Sequence, residues 1–318
     1  MSSIEKAIER LAKSKSDKTK ANEAVDPTAG TTPQNKAVEK ATPTTEVSTP
    51  VATGAEEQRP GERATPVSKE PVKKKSVSKG KKIQLDYESL SHVGYIVPHS
   101  GNKQLSEEYR IIKRPIIMNA LGKGAAPIEH GNLISVSSSL PAEGKTFTAM
   151  NLALSISTEL DSTVLLIDGD VLRCSLSTLL GIEKEKGLID LLEDKSCTVG
   201  DVILETQIPR LKIISAGKRS EKSTELLASK EMEELLHEVA DRYRDRIIIF
   251  DSPPLLSTSE STVLNQHMGQ ILIVVEAGGT PVEAIKETLS RLDSDKAIGL
   301  VLNKSRETKG ENYYGTYY

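Results

Sequence analysis

The chain has 318 residues, a formal net charge of −3 and 37% hydrophobic residues, with no Trp and only two Phe. A length of that order holds one large domain or two small ones, and so slight a charge singles out no class of partner; no nucleic-acid partner is expected. Two cysteines, Cys174 and Cys197, provide no disulfide framework and fit a reducing compartment. No run approaches eighteen apolar residues and the N-terminus lacks a signal-peptide core, so a cytoplasmic location with peripheral membrane association is expected.

Residues 1–11 open with a short amphipathic pattern: Ile4, Ala7, Ile8 and Leu11 fall on one face, and Ser2 with Glu5 can form a capping box. It suits a docking helix, although so short a helix is marginal alone. Residues 12–82 are rich in Thr, Pro, Ala, Lys, Glu and Ser without a period. Seven of the fifteen prolines lie between Pro27 and Pro71, and no aromatic residue precedes Tyr87. This composition buries too little apolar surface to offset chain entropy, so a disordered tether is expected. Its lysine-rich end (Lys73, Lys74, Lys75, Lys79, Lys81, Lys82) could meet anionic lipid or simply stay solvated.

Order is expected from Ile83, with a domain over 83–310 and a tail over 311–318. Residues 107–114 have a helical pattern in which Glu107, Arg110, Lys113 and Arg114 present charge along one side. From Leu133 a short apolar run then breaks into small residues. It runs into Ser139-Leu140-Pro141-Ala142-Glu143-Gly144-Lys145-Thr146, and a helical pattern follows at once. Strand, small-residue loop and helix in that order make a phosphate-binding P-loop: backbone N–H groups face the anion, Lys145 reaches the β and γ phosphates, and the Thr146 hydroxyl holds magnesium.

Further on, apolar runs at Val164–Ile167, Leu211–Ile214, Ile247–Phe250, Ile271–Val275 and Gly299–Leu302 alternate with helix-length segments. That alternation implies an α/β fold with a doubly wound, mostly parallel sheet, whose ligands lie beyond the carboxyl ends of the strands. Asp168 and Asp170 end one run and Asp251 ends another, as magnesium-holding carboxylates of a P-loop site do. One of them is free to accept a proton from an attacking hydroxyl, although Asp168 or Asp170 could instead cap the helix that follows. Arg173 is near enough to meet phosphate or carboxylate, and is equally consistent with a plain surface arginine. The last six residues hold four of the eight tyrosines, Tyr313, Tyr314, Tyr317 and Tyr318. With no core expected for them, they suit aromatic anchoring on a partner or, in combination with a nucleotide site, phosphoryl acceptors.

Together these segments resemble the bacterial tyrosine kinases, a P-loop family of MinD/ParA-like fold, and more narrowly the exosortase-associated tyrosine autokinases found with exopolysaccharide genes. The resemblance rests on Glu107–Pro115, Ser138–Thr146, Leu165–Arg173, Thr224–Ser229, Phe250–Leu256, Gly299–Lys304 and the tyrosine tail. It implies ATP and Mg2+ as cofactors, with Ser139, Pro141, Ala142, Glu143, Gly144, Lys145, Thr146 and Asn303 around the nucleotide. Thr146, Asp170 and Asp251 would hold the metal, and Lys145, Asp168 and Asp170 would act in catalysis. It also implies a homo-oligomeric ring built through Glu107, Arg110 and Lys113, with each tail entering a neighbour's site. A separate membrane polysaccharide co-polymerase would be the activator. Lys113 replaces the usual Arg of the oligomerisation pattern, and Cys174 stands where Pro is usual. A rival, the MinD/ParA-like partitioning ATPases, carries a Lys five residues before the P-loop Lys; Leu140 occupies that position. A non-catalytic nucleotide-binding scaffold is the other alternative.

Overall fold

The computed structural model describes residues 80–98, 101–243, 246–293 and 295–305. The N-terminal amphipathic pattern, the tether up to residue 79 and the tyrosine tail lie outside them. Among the described residues, no helix is long and apolar enough to cross a membrane.

Eight strands form one sheet: β1 (Lys81–Lys82), β2 (Leu133–Ser138), β3 (Thr163–Asp168), β4 (Leu204–Glu205), β5 (Leu211–Ile214), β6 (Arg246–Asp251), β7 (Gln270–Glu276) and β8 (Ala297–Asn303). Their spatial order is β1-β4-β5-β3-β6-β2-β7-β8, and every pairing is parallel except β4 with β5. The five apolar runs read from the sequence are all strands. The sheet starts at Lys81, two residues ahead of Ile83, because the backbone of Lys81–Lys82 pairs with Leu204–Glu205. Two-residue strands carry no periodic pattern, which is why neither β1 nor β4 stands out in the sequence.

Alternate side chains of the strands feed two cores, as the period of two requires. Leu133, Leu165, Ile167, Ile248, Phe250, Ile271 and Ile273 enter one; Ile134, Val136, Val164, Leu166, Ile249, Leu272 and Val274 enter the other. The first is covered by helices that include α5 (Leu188–Glu193), α8 (Lys230–Arg242) and α9 (Ser259–Gln266). The second is covered by α1 (Tyr87–Val93), α2 (Lys103–Ala120) and α3 (Lys145–Ser157). The remaining helices are α4 (Ser175–Leu179), α6 (Val199–Val202), α7 (Ser223–Leu227) and α10 (Val282–Ser290).

α3, the helix after the P-loop, is buried almost all round, from Thr148 to Ser157. A helix enclosed in this way lacks an amphipathic stripe. α2 packs over it and sends Tyr109 and Lys113 inward. The Lys113 ammonium donates to Ser155 O at 2.7 Å and Thr158 Oγ1 at 3.2 Å, and pairs with Glu159 Oε1 at 2.7 Å. Lys113 therefore does not share the charged side expected for it. Glu107 and Arg110 form an exposed pair at 3.1 Å, and the basic residue exposed with them is Arg114. The reason is helical geometry: at about 100° per residue, six residues from Glu107 to Lys113 end about 120° off the face, whereas seven residues to Arg114 end about 20° off it.

Candidate active site

β2 lies between β6 and β7, and its last residues, Ser137 and Ser138, lead into the P-loop. Hydroxyls within an apolar strand need partners, and these have them. Ser135 Oγ donates to Ser252 Oγ at 2.9 Å, Ser137 Oγ to Pro253 O at 2.6 Å, and Ser138 Oγ to Leu140 O at 2.7 Å. The serines thereby tie the loop to the segment that follows β6.

The loop is a concave backbone turn. Ala142 (φ 68°) and Gly144 (φ 97°) are left-handed. Successive turn amides of this kind, leading into a helix N-terminus, form a cradle for an anion. A Cβ at Gly144 would meet Asn303 Nδ2, a side-chain end that can move aside, but the φ of 97° itself strains any L side chain there. Glu143 turns away from the cradle: its buried carboxylate accepts from Leu140 N at 2.7 Å and from the Thr280 hydroxyl. Glu143 thus shapes the loop from behind, contributing its backbone to the ligand side. Asn303 Nδ2 donates to Glu143 O at 2.9 Å, Lys304 Nζ to Ala142 O at 2.7 Å, and Thr288 Oγ1 to Ser139 Oγ at 2.8 Å. Pro141 is exposed on the outer rim of the loop.

At the head of α3, Lys145 is buried and its ammonium donates to Asp170 Oδ2 at 2.5 Å, with Asp251 Oδ1 at 3.7 Å. Burial alone would lower the Lys145 pKa, but Asp251 and Asp170 outweigh it and the net shift is upward. Asp168 and Asp251 are register partners on neighbouring strands, and both are completely buried. Burial pushes Asp251 up to about 6, opposed by the charge of Lys145 and by the nearby Thr146 hydroxyl. Neither carboxylate oxygen of Asp251 has a hydrogen-bond partner. Burial and the charge of Asp251 push Asp168 up to about 7, against hydrogen bonds from Ser177. Asp168 Oδ2 accepts from Ser177 N at 2.8 Å and Ser177 Oγ at 2.7 Å, while Oδ1 has no partner. Asp168 therefore caps α4 with one oxygen and keeps the other free.

This arrangement fits the groups the sequence implies. The two buried oxygens of Asp251, neither with a hydrogen-bond partner, beside the Thr146 hydroxyl, are the hard oxygen donors that magnesium takes. A glycine-dependent amide cradle that leads into Lys145 suits the phosphates. Arg173 is exposed and its N–H donates to Asp170 O at 3.1 Å; the side chain contributes nothing to this cluster. Cys174, with φ 49°, stands in a conformation closed to proline, so the turn after Arg173 differs from one built on Pro. Ser177, Thr280 and Thr288 are the supporting residues the sequence does not announce.

A domain family described as an AAA domain matches residues 131–297, which includes the P-loop and all three carboxylates. The tyrosine-protein kinase YwqD of Bacillus subtilis is 30% identical over 216 residues, covering 66% of this chain and 86% of that relative. The chain belongs to the bacterial tyrosine kinases. The tyrosine-protein kinase ptk of Acinetobacter johnsonii is 33% identical over 174 residues, which is 54% of this chain. Against that longer relative the kinase chain spans only 23% of the length. Among solved structures, the kinase domain of VpsO matches with a TM-score of 0.54 and 26% identity, covering 66% of this chain and all of that domain. The sequence expectation of a P-loop NTPase fold thus stands.

Proposed function

We propose that this chain is an ATP-dependent protein-tyrosine kinase that phosphorylates the tail tyrosines Tyr313, Tyr314, Tyr317 and Tyr318 of a neighbouring subunit. The observation that carries this reading is the convergence of Lys145, Asp168, Asp170 and Asp251 on the P-loop, with unpartnered carboxylate oxygens beside Thr146. Family membership supports tyrosine as the acceptor class.

The substrate phosphates rest on the amides of residues 139–146. Lys145 would exchange its bond to Asp170 for the phosphate oxygens, and Thr146, Asp251 and Asp170 would then hold the magnesium ion. Magnesium supplies charge neutralisation of the phosphate oxygens. The tyrosine oxygen attacks the γ phosphorus, the bond to the β,γ-bridging oxygen breaks, and ADP leaves. The tyrosine proton goes to Asp168, whose Oδ1 has no hydrogen-bond partner and whose burial raises its affinity for a proton. Lys145 stabilises the charge on the transferring group. Asn303, bonded to the P-loop backbone, is the candidate reader of the adenine edge.

In this reading the chain assembles as a homo-oligomeric ring in the cytoplasm, held near the inner membrane by a separate polysaccharide co-polymerase that activates it. The phosphorylation cycle regulates exopolysaccharide chain length and export, as in the exosortase-associated autokinases. The exposed Glu107, Arg110 and Arg114 form the contact face. Arg114→Ala should leave thermal stability within about 0.5 kcal/mol, as for a surface change, and shift the oligomer toward monomer in light scattering. Lys113→Ala should instead destabilise the fold by about 1–3 kcal/mol through the buried acceptors it leaves behind. The reverse pattern would put Lys113 in the interface.

The acceptor assignment is tested with Tyr313, Tyr314, Tyr317 and Tyr318 changed together to Phe. ATP binding should be unchanged and most autophosphorylation lost. Undiminished phosphorylation would exclude the tail.

A further inference from the structure

Three of the chain's five histidines, His130, His237 and His267, come together far from the nucleotide site. His130 precedes β2, with its carbonyl accepting from Leu133 N at 2.8 Å; His267 caps the C-terminus of α9, three residues before β7; His237 lies in the second half of α8, which leads into β6. β6, β2 and β7 are neighbours and parallel. The histidines therefore gather at the amino ends of the same strands whose carboxyl ends carry the P-loop and Asp251. A six-residue strand separates the two places by about 20 Å.

Glu233 and His237 are four residues apart on α8, so they share a helix face one turn apart. His267 faces them, and one ligand atom from each of Glu233, His237 and His267 lies within 4.8 Å of the others. The rings of His237 and His267 are 6.2 Å apart and nearly perpendicular, while His130 lies 4.9 Å from His237. Gly269 holds the backbone of this corner together, since a Cβ there would come within 2.3 Å of His130 O.

We propose that Glu233, His237 and His267 form a binding site for a late first-row divalent cation, with Zn2+ as its natural occupant. The donors decide the class. Two imidazole nitrogens and one carboxylate oxygen match zinc, which takes His at about 2.0–2.1 Å and carboxylate at about 2.0–2.2 Å, whereas magnesium takes oxygen alone. The three ligand atoms lie within 4.8 Å of one another, and a bound ion would draw them to the closer spacing of a tetrahedral set. His130 stands beside His237 to orient it or to complete the coordination, leaving water as the alternative fourth ligand. The ion would clip α8 to the turn between α9 and β7, two segments joined through Asp251 and the loop that follows it.

The test uses the full chain without a histidine tag, stripped with chelator and titrated with Zn2+ in excess Mg2+, which occupies the oxygen site at the P-loop. One equivalent of Zn2+ should bind and raise the melting temperature by at least about 5 °C at a hundredfold excess over Kd. His237→Ala with His267→Ala should weaken binding at least tenfold while the oligomer and ATP binding persist. Glu233→Gln, which keeps the shape of the side chain, should weaken it by a smaller factor if the double variant fails to fold. Absence of stoichiometric uptake, or uptake by Glu233→Gln and the double variant equal to that of the unaltered chain, would overturn the site.

Discussion

Lys145→Ala should reduce tyrosine phosphorylation of the tail by at least about a hundredfold, the scale on which a group that stabilises transition-state charge is felt. The loss has a second, structural component. The Lys145 ammonium is the cation that Asp170 and Asp251 share inside the protein. Without it buried Asp251, already raised to about 6, holds its proton more tightly, so the variant should lose more stability at pH 8, where that carboxylate must be charged, than at pH 5. Thermal unfolding at the two pH values, together with intact-mass measurement after incubation with ATP and magnesium, checks both components. An active Lys145→Ala protein would remove the P-loop from the chemistry.

Asp251→Asn should separate stability from activity. In the metal-free protein, burial raises Asp251 to about 6 and Asp168 to about 7, from an ordinary value of 3.8. The native state then binds protons more tightly than the unfolded chain between about pH 4 and pH 7, so these two groups make stability fall as pH rises through that window. Above it, the full cost of burying charge is present. Replacing Asp251 by the neutral isostere should therefore stabilise the metal-free protein at pH 8 by on the order of 2 kcal/mol, with little change near pH 4. The same variant should lose stabilisation by magnesium nucleotide and most of its phosphotransfer. A variant less stable than the unaltered chain at pH 8 would mean that Asp251 is satisfied by partners rather than poised for a cation.

Much of the site was legible in the sequence because its parts are local. Ser139 to Thr146 follows its strand and precedes its helix without interruption, and Asp168 and Asp251 each follow four apolar residues. Backbone order alone fixes where these groups lie relative to the sheet. The residues that hold them are not local. Thr280 and Thr288 reach the loop across 137 and 149 residues, and Ser177 reaches Asp168 from the next helix. Each is an ordinary hydroxyl with no pattern to mark it. Glu143 sits inside the motif, yet its carboxylate faces Thr280 and Leu140 N rather than the ligand. Which way a side chain turns in a tight loop depends on what packs behind it.

The helix over 103–120 shows the same limit. Its charges were visible, but Lys113 and Arg114 are neighbours in sequence, and only packing on α3 decides which of them is buried. Tyr95 and Tyr109 likewise pass for ordinary tyrosines until their burial is known. Burial pushes both phenols up to about 12 and makes them poor competitors for phosphate. Tyr87 and Tyr243 are only partly buried, and they are the competitors that matter.

The central claim is that the P-loop site and the tyrosine tail are the two halves of one reaction. Phosphopeptide mapping of the unaltered full chain after incubation with ATP and magnesium tests it most directly. The account predicts phosphate on tyrosines between residues 313 and 318, absent when ATP is omitted. Phosphate on Tyr87 or Tyr243 with none on the tail would contradict it.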